Sequence, residues 1–173
     1  PIREEKARQI SQLEADIKAA PNKGEALMRK VLDLVVPDTR FIDNYRPGFL
    51  RNPMTEQCLE YDRYYEVGVA FEFNGPQHYG PTDRFPDPRN AAALRTRDLV
   101  KRGLSMENGI TLITVRAADL SIDTICRMAE GHLAVRRPSK TDLYVVRLQA
   151  MLRRYVENSK RTGMGLDAAM AVD

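Results

Sequence analysis

The stretch Val67 to Tyr79, Val-Gly-Val-Ala-Phe-Glu-Phe-Asn-Gly-Pro-Gln-His-Tyr, constrains this chain more than any other. Its apolar residues alternate until a glutamate and then a turn interrupt them. By the period of two, Val67, Val69, Phe71 and Phe73 share one face of a strand, and Glu72 and Asn74 share the other with Gly68 and Ala70. A strand this apolar is central to a sheet. Asn74-Gly75 is expected to take positive φ and turn the chain, leaving Gln77 and His78 just past the strand end. One sheet end then gathers a carboxylate, two amides and an imidazole.

The preceding segment, Cys58 to Glu66, also alternates. Leu59, Tyr61, Arg63 and Tyr65 fall on one face, and Glu60, Asp62, Tyr64 and Glu66 on the other. Only a turn separates the two strands, so they are expected to form an antiparallel hairpin. Counting outward from a turn at Val67, Asp62 stands five residues before it and Glu72 five after. The two acids become cross-strand partners. Like charges placed opposite repel at a cost of up to about 1 kcal/mol, and a bound divalent cation removes that cost.

Around this hairpin the chain reads as one α/β domain with helical extensions. Residues 2–19 carry Ile10, Leu13 and Ile17 on a narrow helical stripe, and Pro21-Asn22-Lys23-Gly24 ends it. A second helix starts at Glu25 and shows a broad apolar face of Leu27, Met28, Val31, Leu32 and Val35 before Pro37. Glu25 in its first turn suits the helix dipole and can also look toward the sheet. Phe41 to Tyr45 is a short strand. Gly80 to Arg89, with three prolines, is a loop beside the open strand end.

A long helix from Asn90 to Glu107 is expected to bury Leu94, Leu99 and Leu104, with Asp98 on the inward side, and Asn108-Gly109 stops it. Ile110 to Val115 is a further strand. A helix between two strands implies a crossover onto a mixed sheet. Two more helices follow at 119–128 and 142–155, and the last ten residues read as a mobile tail. The division expected is a helical extension over 1–23, a core over 24–130 and a basic helix with its tail over 131–173.

Charge and composition narrow the partner. The 27 Lys and Arg against 24 Asp and Glu give a net charge of +3, with basic residues clustered at 89–102 and 136–161. Local basic patches favour an anionic partner. Cys58 and Cys126 have no zinc-ligand spacing. No run of about 18 apolar residues and no charged-then-apolar leader is present, so a cytoplasmic protein without a membrane partner is expected. Pro1 in place of Met fits either Met removal or a piece of a longer chain.

Carboxylates on adjacent strands that hold Mg²⁺ or Mn²⁺ can activate water and neutralise phosphate charge, which is the chemistry of phosphodiester hydrolysis. Asp62 and Glu72 are the candidate metal ligands. His78, with a pKa near operating pH, is the candidate acid or base, and Gln77, Glu25 and Asp98 complete the catalytic set. Arg46, Arg51, Arg84, Arg95, Lys101 and Arg102 are candidates for phosphate contacts.

The order of these elements resembles the restriction-endonuclease-like superfamily. Glu25 sits on a helix, Asp62 on a strand and Glu72-Phe-Asn-Gly-Pro-Gln-His78 on the next, with Arg97-Asp98 on a helix and Gly109 to Val115 after it. Within the superfamily it is most similar to the very-short-patch repair and EDxHD-type homing endonucleases. The similarity covers Gly24 to Val115. It implies a mixed central sheet flanked by helices, Asp62 as the central metal ligand, His78 as acid or base, and Glu25 and Asp98 as supporting acids. The superfamily pattern of a strand Asp followed by Glu-x-Lys would read here as Asp62 and Glu72-Phe-Asn74. Asn74 stands where the usual lysine would, so His78, Gln77 or Lys101 must take its place. The function expected is a metal-dependent DNA endonuclease. The alternative is a nuclease-like fold that only binds nucleic acid. One set of acids nicks one strand, so double-strand cutting would need a homodimer.

Overall fold

A hairpin that turns at Gly68 forms the centre of the sheet. Strand β2 (Tyr61–Tyr65) pairs antiparallel with β3 (Val69–Asn74), Arg63 opposite Phe71 and Tyr65 opposite Val69. Gly68 has φ of +91°, a conformation that glycine adopts without a steric penalty. The computed structural model describes residues 1–76 and 87–170, with side chains as far as Arg161. Its sheet is four-stranded in the order β1-β2-β3-β4, where β1 is Phe41–Tyr45 and β4 is Thr111–Arg116. The β1 pairing is antiparallel and the β3–β4 pairing parallel, because helix α3 (Pro88–Glu107) carries the chain across. The fold is therefore α/β with a mixed sheet.

Two layers of different character cover the sheet. On one face Tyr65, Val69, Phe71, Phe73, Ile113 and Val115 pack against the remaining helices. These are α1 (Ile2–Ala19), α2 (Lys23–Val35), α4 (Ile122–Ala129) and α5 (Leu143–Met170). The stripe on α1 docks through Leu13 and Ile17, and α5 docks through Val145, Leu148 and Leu152, so both extensions share the core of the central segment. Lys6 to Asp142 at 2.9 Å and Arg147 to Glu14 at 2.6 Å tie α1 to the start of α5. Buried Arg63 joins the sheet to α2, 2.6 Å from Asp33 and 2.7 Å from Asp43, with its guanidinium over the Phe41 ring. The opposite face is smaller. There Leu50, Leu59, Tyr61 and Ala70 form a cluster that α3 covers with Val100 and Leu104.

Several expectations change. Asn74 does not take the positive φ expected of it. Asn74 stays in the β3–β4 ladder opposite Arg116, where the parallel pairing keeps the backbone extended. Tyr61 and Leu59 do not share a face with Arg63 and Tyr65: they pack on the α3 side. The alternation breaks beside Asp62, where Asn44 on the neighbouring strand has φ of +53°. Leu99 is 69% exposed. Its spacing of five from Leu94 and Leu104 places it off the helical face that those two share. Helix α5 continues to Met170 instead of giving way to a tail at 164, since no proline interrupts it. Among the described residues no helix is long and apolar enough to cross a membrane.

The approach of α2 to the sheet depends on Gly24. A Cβ there would stand 2.3 Å from the Phe73 ring and 2.7 Å from the Tyr155 hydroxyl. Gly24→Ala gains up to about 1 kcal/mol of helix propensity, but overpacking costs about 1–3 kcal/mol. The cost is expected to win, lowering the midpoint of urea unfolding; an unchanged or raised midpoint would show that α2 is not wedged against Phe73.

Candidate active site

The hairpin register brings two acids together. The β2–β3 ladder ends at Arg63–Phe71, and the next residues along the two strands, Asp62 and Glu72, are acids close enough for the Glu72 charge to raise the Asp62 pKa. Asp62 and Glu72 are both 9% exposed. Asp62 Oδ2 accepts the Phe73 backbone N–H at 2.7 Å, which fixes one oxygen in the plane of the sheet. Glu72 points to the α3 side, where Lys101, 5% exposed, donates from Nζ to Glu72 Oε1. Asn74, next on that face, donates from Nδ2 to Asp98 Oδ2 at 3.1 Å.

Helix α3 therefore turns a polar stripe inward. Ala91, Leu94, Asp98, Lys101 and Ser105 recur at spacings of three and four. Ser105 Oγ donates to the Lys101 carbonyl at 2.7 Å and also meets the Tyr61 hydroxyl, which locks the turn that carries Lys101. Helix α2 approaches from the other side. Its Arg29 lies 2.7 Å from Glu25 and donates to the Asp62 carbonyl at 2.9 Å and to Asn44 Oδ1 at 2.8 Å. Glu25 reaches the site through Arg29 rather than by direct contact with Asp62.

The electrostatics match this geometry. Burial, then the nearby charges of Glu72 and Glu25, push the Asp62 carboxyl from 3.8 up to about 8, against the pull of the Phe73 N–H and Lys101. Burial also raises Glu72, opposed by the Lys101 ammonium. Glu25 is raised by burial and held back by Arg29. Two buried carboxyls face one ammonium, and Glu72 Oε2 is buried with no hydrogen-bond partner in the structure. Among the described residues no group of three His, Cys, Asp or Glu side chains could hold a metal by itself. Mg²⁺ commonly uses only one or two carboxylates and completes its shell with water and phosphate oxygens, so Asp62 and Glu72 fit that ion.

The expected set is thus partly assembled. Asp62 and Glu72 adjoin, Asp98 is joined through Asn74, and Glu25 through Arg29. Gln77, His78 and Arg84 lie outside the described residues. Lys101 is not a surface phosphate contact but a buried partner of Glu72. Its inward phase follows from the Asp98 and Ser105 positions, whereas a search for apolar spacing passes over it. Arg46, Arg51, Arg95 and Arg102 are exposed, Arg46 pairing with Glu60 at 2.8 Å. Arg29 was missed because its role depends on the fold of β1 and β2 beside α2.

Comparison with known proteins adds one relative. An uncharacterized protein, 033L, of Invertebrate iridescent virus 3 is 38% identical over 102 residues, 57% of this chain and 50% of that protein. The chain spans about half the length of this curated relative. No family model matches, and neither does any solved structure.

The Asp62 shift gives stability a pH dependence. The folded chain retains a proton on Asp62 that the unfolded chain releases near 3.8. Stability from this group is full below that value and is lost as pH rises through about 8. Asp62→Asn keeps the acceptor for Phe73 and removes the titration. Between about pH 5 and pH 8.5 the wild type is expected to lose at least about 1 kcal/mol more than this variant, roughly 2–4 °C in Tm. Parallel melting curves would assign the titration elsewhere.

Proposed function

We propose that this chain is a metal-dependent endonuclease that hydrolyses phosphodiester bonds of DNA. The observation that carries the reading is the buried Lys101–Glu72 pair beside Asp62. It brings two carboxyls and a primary ammonium to one point on the sheet, the groups that such hydrolysis needs. Asp62 and Glu72 would hold Mg²⁺ or Mn²⁺, Glu72 through the oxygen that Lys101 leaves free. A divalent cation there supplies Lewis-acid polarisation of the phosphate and lowers the pKa of a bound water. Lys101 holds its positive charge in a site screened from solvent, where it stabilises negative charge building on the attacking or phosphate oxygens. Glu72 orients that ammonium. The Phe73 N–H fixes Asp62, and Arg29 fixes its backbone, so the ligand pair is positioned before substrate arrives.

Lys101 also answers the departure at Asn74. The cation enters from helix α3 rather than from the strand, and Asn74 instead bridges to Asp98. His78 is retained in this proposal as the acid or base for the leaving oxygen. Exposed Arg46, Arg51, Arg95 and Arg102 would supply salt-sensitive phosphate contacts. The competing reading, a nuclease-like fold that only binds nucleic acid, draws on Asn74 in the usual lysine's place; it requires salt-sensitive binding with no metal dependence.

Supercoiled plasmid incubated with the chain should be nicked or linearised in Mg²⁺ or Mn²⁺ and left intact in chelator. Asp62→Ala should abolish the products, and Lys101→Met should slow them by about 10²-fold or more, as expected for loss of a charge-stabilising group. Metal-independent products, or full activity in both folded variants, would sink the assignment.

A further inference from the structure

Strand β4 is an outer strand of the sheet, so one side of its backbone has no neighbouring strand. The Thr111 N–H donates to the Gly68 carbonyl at 2.9 Å, and by the parallel ladder Thr111, Ile113 and Val115 turn their N–H and C=O groups toward β3. Ile110, Leu112, Thr114 and Arg116 turn theirs outward. The two at the ends are capped: Ile110 donates to the Ser105 carbonyl and Arg116 to Asp119 Oδ2, each at 2.9 Å. Between them, the outward groups of Leu112 and Thr114 have no partner among the described residues. A groove of about 590 Å³ runs beside this open stretch, lined by Arg102 and Met106 of α3 and by Ile110, Leu112, Thr114 and Asp119. Met106 is 75% exposed. The opposite edge is blunted, since Asn44 in β1 has φ of +53° and is missing from the ladder. β4 is regular, contains no proline and is uncharged up to Arg116.

We infer that the open edge of β4 pairs antiparallel with β4 of a second copy of this chain, across a two-fold axis at Ile113, to make one continuous sheet. The pattern of open and capped groups is symmetric about that residue, as a contact between identical surfaces requires. Leu112 of one copy exchanges N–H and C=O with Thr114 of the other, and the same exchange repeats across the axis. Ile110 then stands opposite Arg116, where both N–H groups are already taken. The pairing starts and stops where the chain leaves groups open. Leu112 packs on the α3 side and Ile113 on the other, so paired residues share a face and α3 of both copies lies on one side of the joined sheet. Charge agrees with the reversed direction. Exposed Arg102 lies toward the start of β4 and Asp119 past its end, so each Arg102 comes to the end where the other copy's Asp119 stands. Met106 and Leu112 of both copies leave water together. An unrelated extended segment could use the same backbone groups, but it would not need caps placed symmetrically about Ile113. The inference stands apart from the nuclease reading and meets it at one point: two copies put two sets of acids on one face, one for each strand of a duplex.

The test is sedimentation velocity of the full chain over a range of micromolar concentrations. A species of twice the 19.7 kDa chain mass should grow with concentration. Thr114→Pro removes an outward N–H that the chain's own ladder does not use, and should raise the dimer Kd by roughly 10-fold or more. Arg102→Glu, at an exposed position that leaves the core untouched, is the second variant should Thr114→Pro fail to fold, and it should also weaken the dimer. A wild-type chain that stays monomeric at the highest concentration, or a folded variant that dimerises as tightly as wild type, overturns the inference. Neither result touches the nuclease reading, which plasmid cleavage decides. A dimer lost in the variant while plasmid stays intact in Mg²⁺ supports the β4 contact and removes the nuclease reading alone.

Discussion

The contact between Lys101 and Glu72 is the constraint on which the rest of the structure depends. Both groups are nearly out of solvent, and a second acid, Asp62, stands beside them. Burying charge is expensive, and a buried ion pair is often no more stabilising than apolar residues of the same size. Removal of either partner would leave the other's charge buried and unpaired, which destabilises the docking of α3 on the sheet. The cost is visible in the carboxyls themselves, since Asp62 and Glu72 are both pushed toward the protonated form. A domain selected for stability alone would place leucine or valine here, as it does on the opposite face of the same strands.

That contrast between faces explains what could be read from the residues and what could not. The hairpin was legible because Gly68 fixes its turn and the alternation of β3 fixes its faces, and the paired register ends one residue short of Asp62 and Glu72. Helix α2 was legible from its apolar stripe, and the crossover from the length of α3. The phase of α3 was legible only in part. Asp98 was expected to face inward and does, meeting Asn74, but Leu99 is exposed and the same face also carries Lys101 and Ser105. A helix whose inward stripe is polar has almost no hydrophobic signature, and its orientation becomes visible only when the strand opposite supplies carboxylate and amide partners. Lys101 read as one more basic residue in a basic helix for that reason. The face change at Tyr61 was hidden likewise, because it follows from the backbone of Asn44 on another strand.

The scaffold side of the molecule shows how remote packing positions the acids. Gly24 lets α2 press on Phe73 and Tyr155. That closeness brings Arg29 within reach of the Asp62 carbonyl, and Arg29 is in turn held by Glu25 and Asn44. Glu25 thus acts on Asp62 in two ways: it orients the arginine that pins the backbone, and its charge raises the Asp62 pKa. Glu60 raises Glu25 in the same manner and pairs with Arg46 at the surface. A chain of like and unlike charges therefore runs from exposed Arg46 to the buried carboxyls. Phosphate binding at Arg46 would loosen its hold on Glu60 and change the field felt by the acids.

The location of the lysine also bears on cleavage against binding alone. A surface that only holds nucleic acid benefits from cations that reach water and phosphate, and Arg95 and Arg102 are exposed cations of that kind on α3. Lys101 lies on the same helix, turned the other way, and its charge is directed at carboxylates that a phosphate contact would not require. Its low exposure removes most of the screening that weakens surface charges. Such a group contributes little to affinity for a duplex passing over the surface. It contributes most where negative charge develops on an oxygen held beside Glu72, and so the burial of Lys101 weighs toward chemistry.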